Sequence, residues 1–79
     1  MDNLILFTSK NCHSCVILKE TLMKNDIRFK EVDISSDDGQ RLTKKYYIRS
    51  IPTLIDEIKL ISIVGTYSIS DIKKKFQMN

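Results

Sequence analysis

The residues best suited to chemistry in this sequence are two cysteines separated by two residues. Cys12 and Cys15 are the only cysteines of the chain, and they lie between an apolar run and a helix-like stretch. Two thiols at this spacing, at the start of a helix, are close enough to form a disulfide. The free N–H groups and the positive dipole end of the helix favour a thiolate at the first thiol. We therefore expect Cys12 to be the nucleophile and Cys15 the resolving thiol that attacks a mixed disulfide.

Hydrophobic patterning predicts the elements on either side of this pair. Residues 4–7 form a continuous apolar run, which is typical of a central strand. Residues 15–25 predict a helix with Lys19 facing outward and with these apolar residues at helical spacing: Cys15, Val16, Leu18, Leu22 and Met23. Residues 27–34 alternate like a strand, and the helical crossover makes this strand parallel to the first.

The second half of the chain predicts a short helix, a hairpin and a last helix. Residues 35–38 are rich in helix-capping side chains, and Pro52 stands at the start of an apolar strand. A tight turn at residues 56–57 then leads to a strand over residues 59–64. Residues 68–76 begin with a capping box and continue with an apolar helix face. The predicted order is β-α-β-α-β-β-α.

Length and charge restrict the class of protein. The chain has 79 residues, so we expect a single domain over residues 1–79. Its start lacks the basic region of a signal peptide, and the apolar run at residues 4–7 is too short to span a membrane. We therefore expect a cytoplasmic protein, in which an isolated cysteine pair indicates redox or metal chemistry. The net charge of +3 comes with scattered lysines, which argues against a nucleic-acid partner.

Three segments together resemble the thioredoxin superfamily, at the length of glutaredoxins and of the small glutaredoxin-like redoxins that reduce ribonucleotide reductase. They are Cys12-His13-Ser14-Cys15, residues 45–54 ending in Ile51-Pro52-Thr53-Leu54, and Val64-Gly65. The resemblance covers nearly the whole chain. It implies a thioredoxin-like α/β fold, with a four-stranded mixed sheet flanked by three helices. It also implies a cis peptide bond before Pro52, with this proline lying against the cysteine pair.

The resemblance implies an activity as well. The protein is expected to be a monomeric thiol-disulfide oxidoreductase that reduces disulfide-containing proteins, with thioredoxin reductase or glutathione as its electron donor. No cofactor and no metal are expected beyond the reversible Cys12–Cys15 disulfide. A substrate peptide would add as a short strand at Ile51 and Pro52. The remaining expected site residues are Gly65 and Thr66 for substrate binding, and Lys10, His13 and Ser14 as modulators of the thiols.

The sequence departs from the family pattern at several positions. Leu6 and Asn11 stand where thioredoxins usually have a buried aspartate and a tryptophan. Gly65 is single, whereas glutathione-binding glutaredoxins usually have two glycines there, followed by an acidic pair at the helix start. His13 lies next to Cys12, where an imidazole can donate a hydrogen bond or a positive charge to the thiolate and raise the reduction potential. An exposed histidine with little influence is the alternative.

Three other functions stay open from the sequence. A metal-binding module would use the cysteine pair, and a closed tetrahedral site would then need two chains, because one chain supplies only two thiolates. A disulfide oxidase or isomerase would use the same two thiols at a higher reduction potential. A redox-inert binding domain on the same fold is the third alternative.

Overall fold

The computed structural model describes residues 3–78, which form one four-stranded sheet and three helices. In chain order the elements are β1 (Leu4–Thr8), α1 (His13–Lys24), β2 (Lys30–Asp33), α2 (Asp37–Lys45), β3 (Thr53–Asp56), β4 (Ile61–Val64) and α3 (Ile69–Lys75). Across the sheet the strand order is β2-β1-β3-β4, with β1 parallel to β2 and antiparallel to β3. β3 and β4 form an antiparallel hairpin. The predicted element order and mixed sheet are confirmed.

The central strand β1 separates two hydrophobic cores. All five of its residues are buried, because strands flank it on both edges and helices cover both faces. Successive side chains point to opposite faces, and this divides the buried residues into two clusters. The first cluster, with α1 and α3, contains Leu4, Leu6, Leu18, Leu22, Leu54, Ile63, Ile72 and Phe76. The second, with α2, contains Ile5, Phe7, Val32, Leu42 and Ile55.

Serine side chains cap the two shorter helices. The Ser36 hydroxyl accepts the Gly39 N–H at 2.9 Å, and the Ser68 hydroxyl accepts the Asp71 N–H at 3.2 Å. Each bond satisfies one of the N–H groups that a helix start leaves without an intrahelical partner. Capping by a serine side chain is confirmed at residues 35–38 and 68–71, and the reciprocal bond of the capping box at Ser68 stays a prediction.

The first helix and the strand after it differ from the prediction. α1 begins at His13, directly after Cys12, but three of its apolar residues face solvent, since Val16 is 50%, Ile17 is 43% and Met23 is 60% exposed. β2 covers Lys30–Asp33 rather than residues 27–34. The reason is that the Ile27 N–H still donates to the Leu22 carbonyl at 3.0 Å, so the chain there is closing the end of α1.

The hairpin turn is longer than predicted, and β4 begins at Ile61 rather than at residue 59. The Asp56 carboxylate accepts the N–H groups of Ile58 at 2.9 Å and of Lys59 at 3.0 Å. These bonds hold the chain in a turn after β3, in the way that aspartate side chains commonly do. Alternation of apolar residues does not reveal such a turn, so the predicted strand started too early.

Within residues 3–78, no helix combines the length and the apolar character that crossing a bilayer requires. The longest, α1, has 12 residues, whereas a spanning helix needs about 20.

Candidate active site

The cysteine pair lies where β1 ends and α1 begins. Cys12 is the N-cap residue of α1, and its Sγ atom accepts the Cys15 N–H at 3.2 Å. A disulfide joins the two cysteines, whose Cα atoms are 5.3 Å apart. That separation is within the ordinary range for disulfides. The Cys15 N–H, in the first helical turn, thus points toward the Cys12 sulfur, as expected for a cysteine at a helix start.

The two sulfur atoms differ in their access to solvent. Cys15 is only 3% exposed, whereas Cys12 is partly exposed. Asn11, just before the pair, has a φ of 62°, a left-handed conformation that asparagine tolerates better than most residues. This residue turns the chain from β1 into the helix and presents Cys12 at the surface. An incoming reactant therefore meets Cys12 before Cys15.

A cleft of about 550 Å³ opens beside the pair and contains several of the predicted residues. Its lining residues are Thr8, Ser9, Lys10, Asn11, Cys12, His13, Cys15, Val16, Lys19 and Glu31. Lys10 and His13 are exposed at its rim. Ser14, predicted as a modulator, is exposed on the first turn of α1 and does not line the cleft.

Polar contacts at the side of the cleft involve three residues that were not predicted for chemistry, namely Thr8, Lys19 and Glu31. The Lys19 ammonium is 2.8 Å from Glu31 Oε1, and the Thr8 hydroxyl donates to Glu31 Oε2 at 3.1 Å. The prediction that Lys19 faces outward is incomplete, because its half-exposed side chain reaches across to β2. Two signals were available: Lys19 follows Cys15 by one helical turn, and Glu31 lies on the strand predicted to pair with β1.

Both acidic residues of β2 favour the ionised form. The hydrogen bond from Lys19 holds the pKa of Glu31 below its ordinary value, and the Thr8 hydroxyl adds to this effect while partial burial opposes it. Hydrogen bonds from the hydroxyl and the backbone N–H of Ser35 lower the pKa of Asp33, with a smaller contribution from the Lys10 charge. Both carboxylates are therefore ionised at neutral pH, and Lys19 balances the charge of Glu31.

The other predicted site residues lie at the same end of the sheet. Thr53 pairs with Phe7, so Pro52 is level with the last residue of β1. The Ile51–Pro52 peptide bond is cis, and the Gly65 N–H donates to the Pro52 carbonyl at 2.9 Å. Pro52 is buried, whereas Thr66 is exposed. The topology thus brings the thiol loop and the loops around Pro52 and Gly65 to one end of the sheet.

No group of three or more His, Cys, Asp or Glu side chains in the described part of the chain is arranged to hold a metal ion.

Comparison with known proteins identifies relatives of this fold. The family model described as Glutaredoxin matches residues 4–59, more than half of the chain. The crystal structure of the thioredoxin-like protein BC3987 is 29% identical, with a TM-score of 0.71 over 90% of this chain and 96% of that chain. Among curated protein sequences, none matches this chain.

Two more distant structures are similar in fold alone. Oxidised mitochondrial thioredoxin 3 from Saccharomyces cerevisiae is 23% identical, with a TM-score of 0.71 over 95% of this chain and 76% of that chain. A glutaredoxin from Archaeoglobus fulgidus is 18% identical, with a TM-score of 0.70 over 98% of this chain and 88% of that chain. The family match and the disulfide-linked pair agree in supporting thiol redox chemistry. The chain belongs to the glutaredoxin family, within the thioredoxin-fold superfamily.

Proposed function

We propose that this protein is a small dithiol oxidoreductase that reduces disulfides in protein substrates. The observation that carries the proposal is the asymmetry of the pair. Cys12 is partly exposed at the start of α1, where N–H groups favour a thiolate, and Cys15 is 3% exposed behind it. This arrangement suits attack by Cys12 and resolution by Cys15.

The proposed cycle transfers two electrons. The Cys12 thiolate attacks one sulfur of the substrate disulfide, which forms a mixed disulfide and releases the first substrate sulfur as a thiolate that takes up a proton. Cys15 then loses its proton to solvent and attacks Cys12 Sγ. This step closes the Cys12–Cys15 disulfide and releases the second substrate thiol after it gains a proton. Thioredoxin reductase or glutathione returns the two electrons, and the cycle needs no other cofactor.

Substrate would bind at the end of the sheet that holds Pro52 and Gly65. The proposed contacts are the backbone of Ile51, the surface around Pro52 and Gly65, and the Thr66 side chain, while Lys10 approaches from the cleft. Support comes from the hydrogen bond between the Gly65 N–H and the Pro52 carbonyl, which joins these two loops. An extended substrate segment would pair with the Ile51 backbone by hydrogen bonds, as a short added strand.

Cysteine variants test the cycle. Cys12→Ser should abolish the reduction of insulin disulfides, because no exposed thiolate remains. Cys15→Ser should instead accumulate a mixed disulfide with substrate, detectable by mass spectrometry, because no thiol resolves it. Ser70→Ala, on the exposed side of α3, is the matched control and should behave like the parent. A Cys12→Ser protein with full activity would contradict the proposal, as would stoichiometric bound metal without insulin reduction.

The electron donor is tested by supplying oxidised protein with thioredoxin reductase and NADPH, or with glutathione and glutathione reductase. We expect turnover with the first system, because Gly65 is not followed by the second glycine and acidic pair of glutathione-binding glutaredoxins. We expect a reduction potential of roughly −200 to −270 mV. A potential above that of protein disulfide isomerase, about −180 mV, would indicate an oxidase or isomerase instead.

We further propose that ribonucleotide reductase is one of the substrates. We also propose that the protein acts as a single-domain monomer in the cytoplasm. Reduction of purified oxidised ribonucleotide reductase tests the substrate. Sedimentation of the purified protein tests the oligomeric state.

A further inference from the structure

The cleft beside the cysteines contains an ion pair that the proposed cycle does not use. Lys19 follows Cys15 by four residues on α1, so their side chains leave the same helix face one turn apart. The Lys19 ammonium is 2.8 Å from Glu31 on β2, and Thr8 donates to the same carboxylate at 3.1 Å. Cys15, Thr8, Lys19 and Glu31 all line this cleft.

The two contacts of Glu31 bear on the charge state of Cys15. A cation near a cysteine favours its thiolate, and the Glu31 carboxylate, 2.8 Å from the Lys19 ammonium, opposes that effect. The Thr8 hydroxyl has one proton, which it donates to Glu31. The Thr8 oxygen therefore has only lone pairs left for its other neighbours. A lone pair can accept a hydrogen bond from a thiol, but it does not stabilise a thiolate.

We propose that Glu31 is a positioning residue that keeps Cys15 a neutral thiol in the reduced protein, by neutralising Lys19 and by engaging the proton of the Thr8 hydroxyl. The inference rests on the proposed function, in which Cys12 attacks first and Cys15 resolves. Two adjacent thiolates would repel each other. When Cys15 is neutral, the helix start therefore stabilises a single thiolate, that of Cys12. Glu31 thereby helps to decide which thiol is the nucleophile.

The remaining charged groups near the pair lie elsewhere in the described structure. Lys10 and His13 line the Cys12 side of the cleft, and Asp33 lies beyond Glu31 on β2, bonded to Ser35. The charged residue of β3, Asp56, pairs with Leu4 at the opposite end of the sheet. On α3 the groups Asp71, Lys74 and Lys75 line a groove against β4. Lys19 therefore lies one helical turn from Cys15, and Glu31 on β2 is its ion-pair partner.

The test measures Cys15 alone, in a Cys12→Ser background, by the pH dependence of its alkylation with iodoacetamide. Glu31→Gln should move the alkylation midpoint to lower pH by about 0.5–1 unit, because Lys19 then acts unopposed. Lys19→Met should move the midpoint to higher pH, because the Glu31 charge then acts alone. Both displacements should shrink in 1 M salt, since the two side chains are 41% and 39% exposed. Glu20→Gln, on the exposed side of α1, is the matched control and should leave the midpoint unchanged.

The opposite signs separate this role from structural damage, which would move both variants in the same direction. Far-ultraviolet circular dichroism checks that each variant is folded. Unchanged midpoints in both variants would overturn the inference, even in a protein that reduces insulin. If the parent with both cysteines fails to reduce insulin while the midpoints move as stated, the proposed function is wrong and the role of Glu31 stands.

Discussion

Cys12 and Cys15 carry the same side chain, and only their surroundings give them different chemistry. Cys12 lies at the N-cap of α1 with a backbone N–H directed at its sulfur at 3.2 Å, whereas Cys15 is buried behind it. The spacing of the pair was sufficient to predict this difference, because helix starts favour thiolates whatever the rest of the fold. Glu31 was not predictable in the same way. Its relation to Cys15 depends on the lateral register of β2 against β1.

At the residue scale, His13 can be tested as a modulator of the pair. His13→Gln should lower the reduction potential by about 10–30 mV, because an imidazole beside Cys12 can donate a hydrogen bond to its thiolate and so stabilise the dithiol form. Equilibration of both proteins with glutathione buffers gives the potentials. Equal potentials for parent and variant would show that the exposed imidazole has little influence.

At the element scale, helix starts and a close helix-strand contact position the site. The start of α1 positions Cys12. A glycine in α2 allows this helix to lie close against the end of β2. Gly39 is buried, and a Cβ atom there would lie 2.8 Å from both the carbonyl carbon of Asp33 and the Cα atom of Ile34. These are backbone atoms, which cannot move aside cheaply. The close approach of α2 therefore requires a residue without a side chain.

Replacing this glycine tests the contact. Gly39→Ala should lower the free energy of unfolding by about 1–3 kcal/mol, because the added methyl group overpacks the junction of α2 and β2. This is opposite to the gain that alanine usually brings within a helix. Urea denaturation followed by circular dichroism measures the change. Gln40→Ala, exposed on the same helix, is the control; it removes one exposed hydrogen bond of 3.4 Å to the Ser35 carbonyl and should leave stability nearly unchanged. A Gly39→Ala protein as stable as the parent would show that the helix can shift.

At the scale of the whole molecule, one central strand carries both cores and ends at the active site. β1 contributes Leu4 and Leu6 to the first core and Ile5 and Phe7 to the second. A chain of 79 residues should have a total stability of only about 4–12 kcal/mol. Thr8 and the cysteine loop follow Phe7 directly in the chain. A loss of packing at β1 should therefore also disturb the position of the cysteine loop.

Truncation of the largest buried side chain of β1 tests this dependence. Phe7 is fully buried, and Phe7→Ala should cost about 3–5 kcal/mol, a large share of the total stability. Thermal denaturation should show a much lower midpoint, and insulin reduction should decline at temperatures where the parent is still active. Met23→Ala, at a 60% exposed position, is the control. A small stability change in Phe7→Ala would mean that the second core relaxes to fill the space.

The sequence by itself determined what depends on local spacing. The Cys12–Cys15 pair at a helix start, the serine caps at Ser36 and Ser68 and the order of the seven elements all follow from residues near one another in the chain. Tertiary structure decided what depends on lateral contacts between elements. The exposure of Val16 and Met23 and the ion pair between Lys19 and Glu31 are examples. A pattern along one strand gives the face of each residue, but only the assembled sheet shows which neighbour it meets.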